Sequence, residues 1–135
     1  MKISRFEDLV VWQRSKELSL EVYHATTAGA FARDFGLRDQ VRRAAVSVMS
    51  NIAEGFGRFT SPEVRRFLSI ARGSASEVRS QLYLAQELGY ITDAQHRRLN
   101  ALCVEVDRML AALRTSLEKS HKPRVPSTQD LGLGT

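Results

Sequence analysis

Apolar residues recur along this chain at spacings of three and four. Polar residues fill the positions between them. The clearest stretch runs from Val41 to Arg58. There Val41, Ala44, Ala45, Val48, Ile52 and Phe56 share one face, the mark of an amphipathic helix. Its other side repeats Arg43, Ser47, Asn51, Glu54 and Arg58. Ser and Asn are poorer helix formers than Lys or Glu at an exposed place. This polar seam is either a second contact surface or a device that sets helix register.

The same rhythm predicts four helices. The first runs roughly from Phe6 to Thr26, with Leu9, Trp12, Leu18, Val22 and Ala25 inward and Ser4–Glu7 at capping-box spacing. A connection through Gly29 and Gly36 follows. The second helix runs roughly from Leu37 to Phe56 or a few residues beyond. The third opens on Ser61-Pro62-Glu63, an N-cap, a proline and a first-turn acid. It buries Val64, Phe67, Leu68, Ala71, Ala75, Val78, Leu82 and Ala85 and stops at Gly89. The fourth opens on the capping box Thr92–Gln95 and carries Leu99, Leu102, Val106, Met109, Leu113 and Leu117 to about Lys119. Periodicity ends there, so residues 120–135 read as a disordered tail beyond a 1–119 domain.

Four such helices with short loops predict an all-α, antiparallel up-down-up-down four-helix bundle. A turn centred near Phe59–Thr60 sets Ala44 opposite Ala75 and Ser47 opposite Arg72. It also brings Arg43 near Glu77 and Glu54 near Arg65. Arg43, Glu77, Glu54 and Asn51 are therefore the expected structural polar pairs. Small residues Ala44, Ala45, Ala71, Gly73, Ser74 and Ala75 fall at one level and would allow close approach. Together the seam and this patch exceed what one bundle needs, which predicts a homo-oligomer.

Composition changes this picture little, and charge changes it more. The chain has 135 residues, 43% hydrophobic and 26% charged, as in an ordinary globular domain. No apolar run is long enough for a bilayer, and residues 1–8 lack a signal-like apolar core, so a cytoplasmic protein without membrane contact is expected. The lone Cys103 cannot form an internal disulfide and reads as a small core residue. Net charge is +5, with pI near 9.9. Residues 38–79 hold eight arginines against Asp39, Glu54, Glu63 and Glu77, whereas residues 1–37 balance. Sixteen of the 20 basic residues are Arg, whose fork can bond two phosphate oxygens. An Arg-rich middle suggests a polyanionic partner. Codon bias toward Arg would give the same enrichment. The candidate nucleic-acid-binding residues are Arg38, Arg42, Arg58, Arg65, Arg66 and Arg72.

No catalytic constellation is visible. His24, His96 and His121 are far apart, and one Cys supplies no metal set. Asn51-Ile52-Ala53-Glu54-Gly55 lacks the glycine cradle and lysine of a phosphate loop. Neither enzyme chemistry, cofactor nor metal is expected. Trp12, Tyr23, Tyr83 and Tyr90 could stack on bases, although aromatics at helical spacing more often pack in a core or interface.

Five blocks carry a family resemblance: Phe6-Glu7-Asp8-Leu9-x-Val11-Trp12-Gln13, Gln40-Val41-Arg42-Arg43-Ala44-Ala45-Val46-Ser47, Asn51-Ile52-Ala53-Glu54-Gly55, Arg66-Phe67-Leu68-x-Ile70-Ala71-Arg72-Gly73-Ser74 and Leu88-Gly89-Tyr90-Ile91. Over residues 5–118 the chain resembles the four-helix-bundle proteins encoded in intervening sequences of bacterial 23S ribosomal RNA genes. That family is similar to the accessory variability determinant of diversity-generating retroelements. The resemblance implies a ring-shaped homopentamer associated with RNA or DNA, with a reverse transcriptase or another protein as a further partner. One departure is Arg38, where relatives carry a capping Ser or Thr. The competing expectation is a protein–protein scaffold whose arginines form intersubunit salt bridges.

Overall fold

A computed structural model describes residues 3–120. After a 3-10 turn at Phe6–Asp8 come α1 (Val10–Ala25), α2 (Gly29–Arg33), α3 (Phe35–Phe56), α4 (Ser61–Glu87) and α5 (Asp93–Ser120). The four long helices form a closed square. α3 packs on α4, α4 on α5, α5 on α1 and α1 on α3. Side-chain bonds show that neighbours are antiparallel. Ser47 meets Ser74 and Gln40 meets Gln81, so numbers rise on α3 as they fall on α4. Likewise Arg14 pairs with Glu105 and Glu21 with Arg98 across α1 and α5. The chain is thus an all-α up-down-up-down bundle. The tail expected over residues 120–135 lies, beyond Ser120, outside the described residues.

The predicted stripes form the core in two clusters. Val11, Val48, Ile52, Val64, Leu68, Leu110 and Leu117 fill one end. Leu18, Val22, Val41, Val78, Leu82, Leu99 and Cys103 fill the other, together with Phe31. Phe31 lies on the short helix α2, inside the stretch expected to be only a connection. Gly89 ends α4 with φ +75°, a left-handed conformation that suits glycine. Gly55 is buried where α3 passes α4. A Cβ there would meet the Phe67 Cβ at 3.1 Å, a tight contact that would push the two helices apart by a few tenths of an ångström.

Helix starts correct several expectations. The Ser4–Glu7 capping box does not form. A 3-10 turn stands there instead, and α1 begins at Val10 without a side-chain cap. α3 begins at Phe35 because the Asp34 carboxylate caps it, accepting from the Leu37 N–H at 3.1 Å. Arg38 is therefore not a cap position at all. Thr60, rather than Ser61, caps α4 by accepting from the Glu63 N–H. The capping box of α5 is as expected. The Thr92 N–H donates to Gln95 Oε1 and the Gln95 N–H to Thr92 Oγ1.

Asp34 also accepts a hydrogen bond from the Tyr90 hydroxyl at 2.9 Å, which ties the start of α3 to the α4–α5 turn. Asp34→Ala removes a cap worth about 1 kcal/mol and strands the Tyr90 hydroxyl, for a further loss of roughly 1 kcal/mol. Tyr90→Phe should lose only the second part. Urea melts of the two variants check this, and equal losses would contradict the double role of Asp34.

Candidate nucleic-acid interface

The candidate arginines do not share one face. Arg38 and Arg42 sit at the α2 end of the bundle and are engaged within the chain. Arg38 pairs with Asp39, donates to the Ala32 carbonyl and lies 4.7 Å from the Phe35 ring. Arg42 donates to the Thr26 hydroxyl and carbonyl and stacks on Tyr23, which fastens the end of α1 to α3. Arg58 and Arg66 come together at the opposite end, where both guanidiniums lie over the Phe67 ring. An open depression of about 500 Å³ adjoins Arg58, lined also by Phe6, Ser50, Ala53, Glu54 and Gly57.

The expected polar pairs rearrange. Glu54 binds Arg58 one turn away at 2.8 Å, not Arg65. An i,i+4 partner needs no tertiary register to find. Arg72 turns toward α5 and pairs with Asp107 at 2.9 Å, so it does not face Ser47. Ser47 and Ser74 share a hydrogen bond at 2.8 Å, while Asn51 donates to the Ser47 hydroxyl and carbonyl. Of these bonds, Ser47–Ser74 crosses from α3 to α4, while Asn51 bonds one turn back within α3. Arg43 and Glu77 line one depression with Gln40, Ala44, Ser47 and Ser74, yet no ion pair joins them within the bundle. Gly73 points to solvent, whereas Ala44, Ala45, Ala71 and Ala75 are buried.

A longer basic feature runs along the seam between α4 and α5. Gln86 reaches Asp93, Arg79 reaches Asn100 and Arg72 reaches Asp107. Each step is seven residues on both helices, the repeat that stays on one seam of a bundle. The next α4 position is Arg65, level with Arg114 of α5. Arg97 and Arg108 stand exposed just outside the seam. They are eleven residues apart, or about three turns along one line of α5. Arg65, Arg72, Arg79, Arg97, Arg108 and Arg114 thus form one stripe, with Asp107 paired inside it and Glu118 at its end. The hydrogen bond that Arg72 donates to the Asp107 carboxylate raises the Arg72 pKa. The sequence reading found Arg65 and Arg72 of this stripe and missed the other four. The seven-residue spacing of Arg65, Arg72 and Arg79 was the available signal.

The aromatic candidates divide. Trp12 packs edge-on against Phe6, and Tyr90 packs on Phe31. Tyr83 is half exposed beside the seam and stacks on the buried His96. Tyr23 carries Arg42. Among the described residues, no group of three His, Cys, Asp or Glu side chains could hold a metal ion. No described helix is long and apolar enough to cross a membrane.

Comparison with known proteins decides the family. The model of the 23S rRNA-intervening sequence proteins matches residues 7–112. The chain belongs to that family. A protein of unknown function from the S23 ribosomal protein family of Bacteroides thetaiotaomicron VPI-5482 has a similar crystal structure. It is 24% identical, covers 78% of this chain and 98% of its own, and superposes with a TM-score of 0.72, which shows a shared fold. Comparison with curated proteins gives no match.

In this family member Cys103 is a core thiol. Burial pushes its pKa up to about 12, against a smaller lowering by Arg79. An unfolded thiol ionises near pH 8.5. Its contribution to stability is complete below that value and is lost as pH rises toward the folded pKa. At pH 8 a thiol reagent should modify Cys103 only at the rate of unfolding. Rapid labelling of folded protein would contradict the burial.

Proposed function

We propose that the protein is a non-enzymatic, oligomeric nucleic-acid-binding bundle of the cytoplasm, with the α4–α5 arginine stripe as its contact surface. One observation carries this reading: six arginines lie along a single seam roughly four turns long, where the carboxylates within reach are Asp107 on Arg72 and, at 3.9 Å, Glu118 on Arg114. By contrast, the α1–α5 seam is balanced, with Arg14 between Glu17 and Glu105 and Arg98 on Glu21. Guanidiniums spaced along a groove suit a phosphate backbone and give little base specificity.

Self-association fits on a different face. Around the Ser47–Ser74 bond the α3–α4 surface carries Ser50, Ile70, Gly73 and Ser76, all exposed, with Arg43 and Glu77 unpaired beside it. A second subunit there could pair Arg43 and Glu77 between chains, in keeping with a homopentamer. Copies would repeat the arginine stripe, and linked weak sites bind more tightly than one. The unpaired Arg43 and Glu77 also favour the second reading, a scaffold for a protein partner such as a reverse transcriptase.

Binding of wild-type protein to structured RNA, single-stranded DNA and duplex DNA across a salt series tests the first reading. The expected result is binding to unrelated sequences that weakens linearly in log salt. Folded, oligomeric protein that binds none of them at low salt would favour the scaffold.

A further inference from the structure

The α4–α5 seam is a ladder with one rung unlike the others. Gln86–Asp93, Arg79–Asn100 and Arg72–Asp107 each join a donor to an acceptor at 2.9–3.1 Å. Continued by one more step of seven, the repeat puts Arg65 level with Arg114, two cations, with Glu118 of α5 as the carboxylate ion-paired to Arg114. Two shielded polar atoms there lack hydrogen-bond partners. One is Arg114 Nε, and the other is the hydroxyl of Ser61, a residue only 4% exposed, one turn before Arg65 on the same side of α4. Glu118, the nearest acid, stands 3.9 Å from Arg114 Nε, too far for a hydrogen bond, and is half exposed.

We propose that Arg65, Arg114 and Ser61 form a slot for one phosphate-type oxyanion at this fourth rung, filled by a backbone phosphate of bound nucleic acid. The identity of that occupant rests on the nucleic-acid reading above, while the slot itself rests on the ladder. A tetrahedral oxyanion accepts from several donors at once. It would supply the acceptor that Asp107 and Asn100 supply at the neighbouring rungs. Glu118 would turn to solvent as the anion enters.

Arg114→Asp separates this role from a structural one, because it completes the ladder. In chloride buffer it should raise the melting temperature by about 2–4 °C through an Arg65–Asp rung. It should also abolish stabilisation by inorganic phosphate at constant ionic strength and weaken RNA binding by about tenfold. Arg114→Gln should lose the phosphate response without the gain in stability. Wild-type protein that melts at the same temperature in phosphate and in chloride overturns the slot. A phosphate response without any RNA binding upholds the slot and overturns the nucleic-acid reading. Equal RNA affinity of wild type and Arg114→Asp overturns the assignment of the slot to a backbone phosphate and removes Arg114 from the contact stripe, leaving the nucleic-acid reading to the other five arginines.

Discussion

Phe31→Ala should cost about 3–5 kcal/mol, at the upper end of what truncating a core side chain costs. Phe31 is 1% exposed, and its ring centroid lies 5.3 Å from that of Tyr90. It is the one buried side chain of α2, a five-residue helix. A helix of one turn has no stability of its own, since nucleation is unfavourable and few bonds follow it. The ring therefore holds the segment in place, not the reverse. Its removal opens a cavity in the cluster of Leu18, Val22, Val41 and Leu82 and loosens Asp34 and Tyr90 together. A domain of this size is stable by only about 5–15 kcal/mol, so the melting temperature should fall by roughly 10–15 °C. A loss below about 1 kcal/mol would mean that α2 is not anchored through Phe31.

Phe31 also marks where sequence reasoning stopped. The long helices were legible because each buries a continuous stripe, and burial writes its period into the sequence. Thr92 with Gln95, and Gly89, were legible because they act within a few residues of themselves. Between Gly29 and Gly36 only Phe31 and Phe35 are aromatic, one buried and one exposed, and the stretch is too short to show a sustained period, so α2 looked like a connection. Register was harder. The α3–α4 pairing lies about two residues from the level expected from the turn. A buried Gly55 against Phe67 and the Ser47–Ser74 bond set it, and these are contacts between helices that no local pattern displays. Glu54 takes its partner Arg58 from one turn further along its own chain, and Arg72 lies on the α5 side of α4, so both leave the partners expected across α3 and α4. The choice of Arg38 and Arg42 has another cause. Their charge was visible in the sequence, whereas their hydrogen bonds to Ala32 and Thr26 depend on how α2 and the end of α1 fold back.

Replacing Arg65, Arg79, Arg97 and Arg108 together with Gln should flatten the salt dependence of nucleic-acid binding by about three units of log–log slope, since each phosphate contact contributes about 0.7–0.9. Affinity at low salt should fall on the order of 100-fold, and similarly for unrelated sequences, because no base edge is being read. Fold should survive. None of the four holds a close carboxylate, and the largest loss inside the bundle is the Arg79–Asn100 bond. Arg72 is left in place because Asp107 would otherwise lose its partner. Two controls give the prediction its direction. Arg14→Gln with Arg98→Gln removes the same kind of charge from the α1–α5 seam, where Glu17, Glu105 and Glu21 already neutralise it. That variant should leave slope and affinity nearly unchanged. Arg38→Gln should likewise spare binding, because its guanidinium is held by Asp39 and the Ala32 carbonyl. If the α1–α5 variant weakened binding as much as the α4–α5 variant, net charge rather than the stripe would be the determinant. If only Arg38→Gln did so, the contact surface would lie at the α2 end of the bundle.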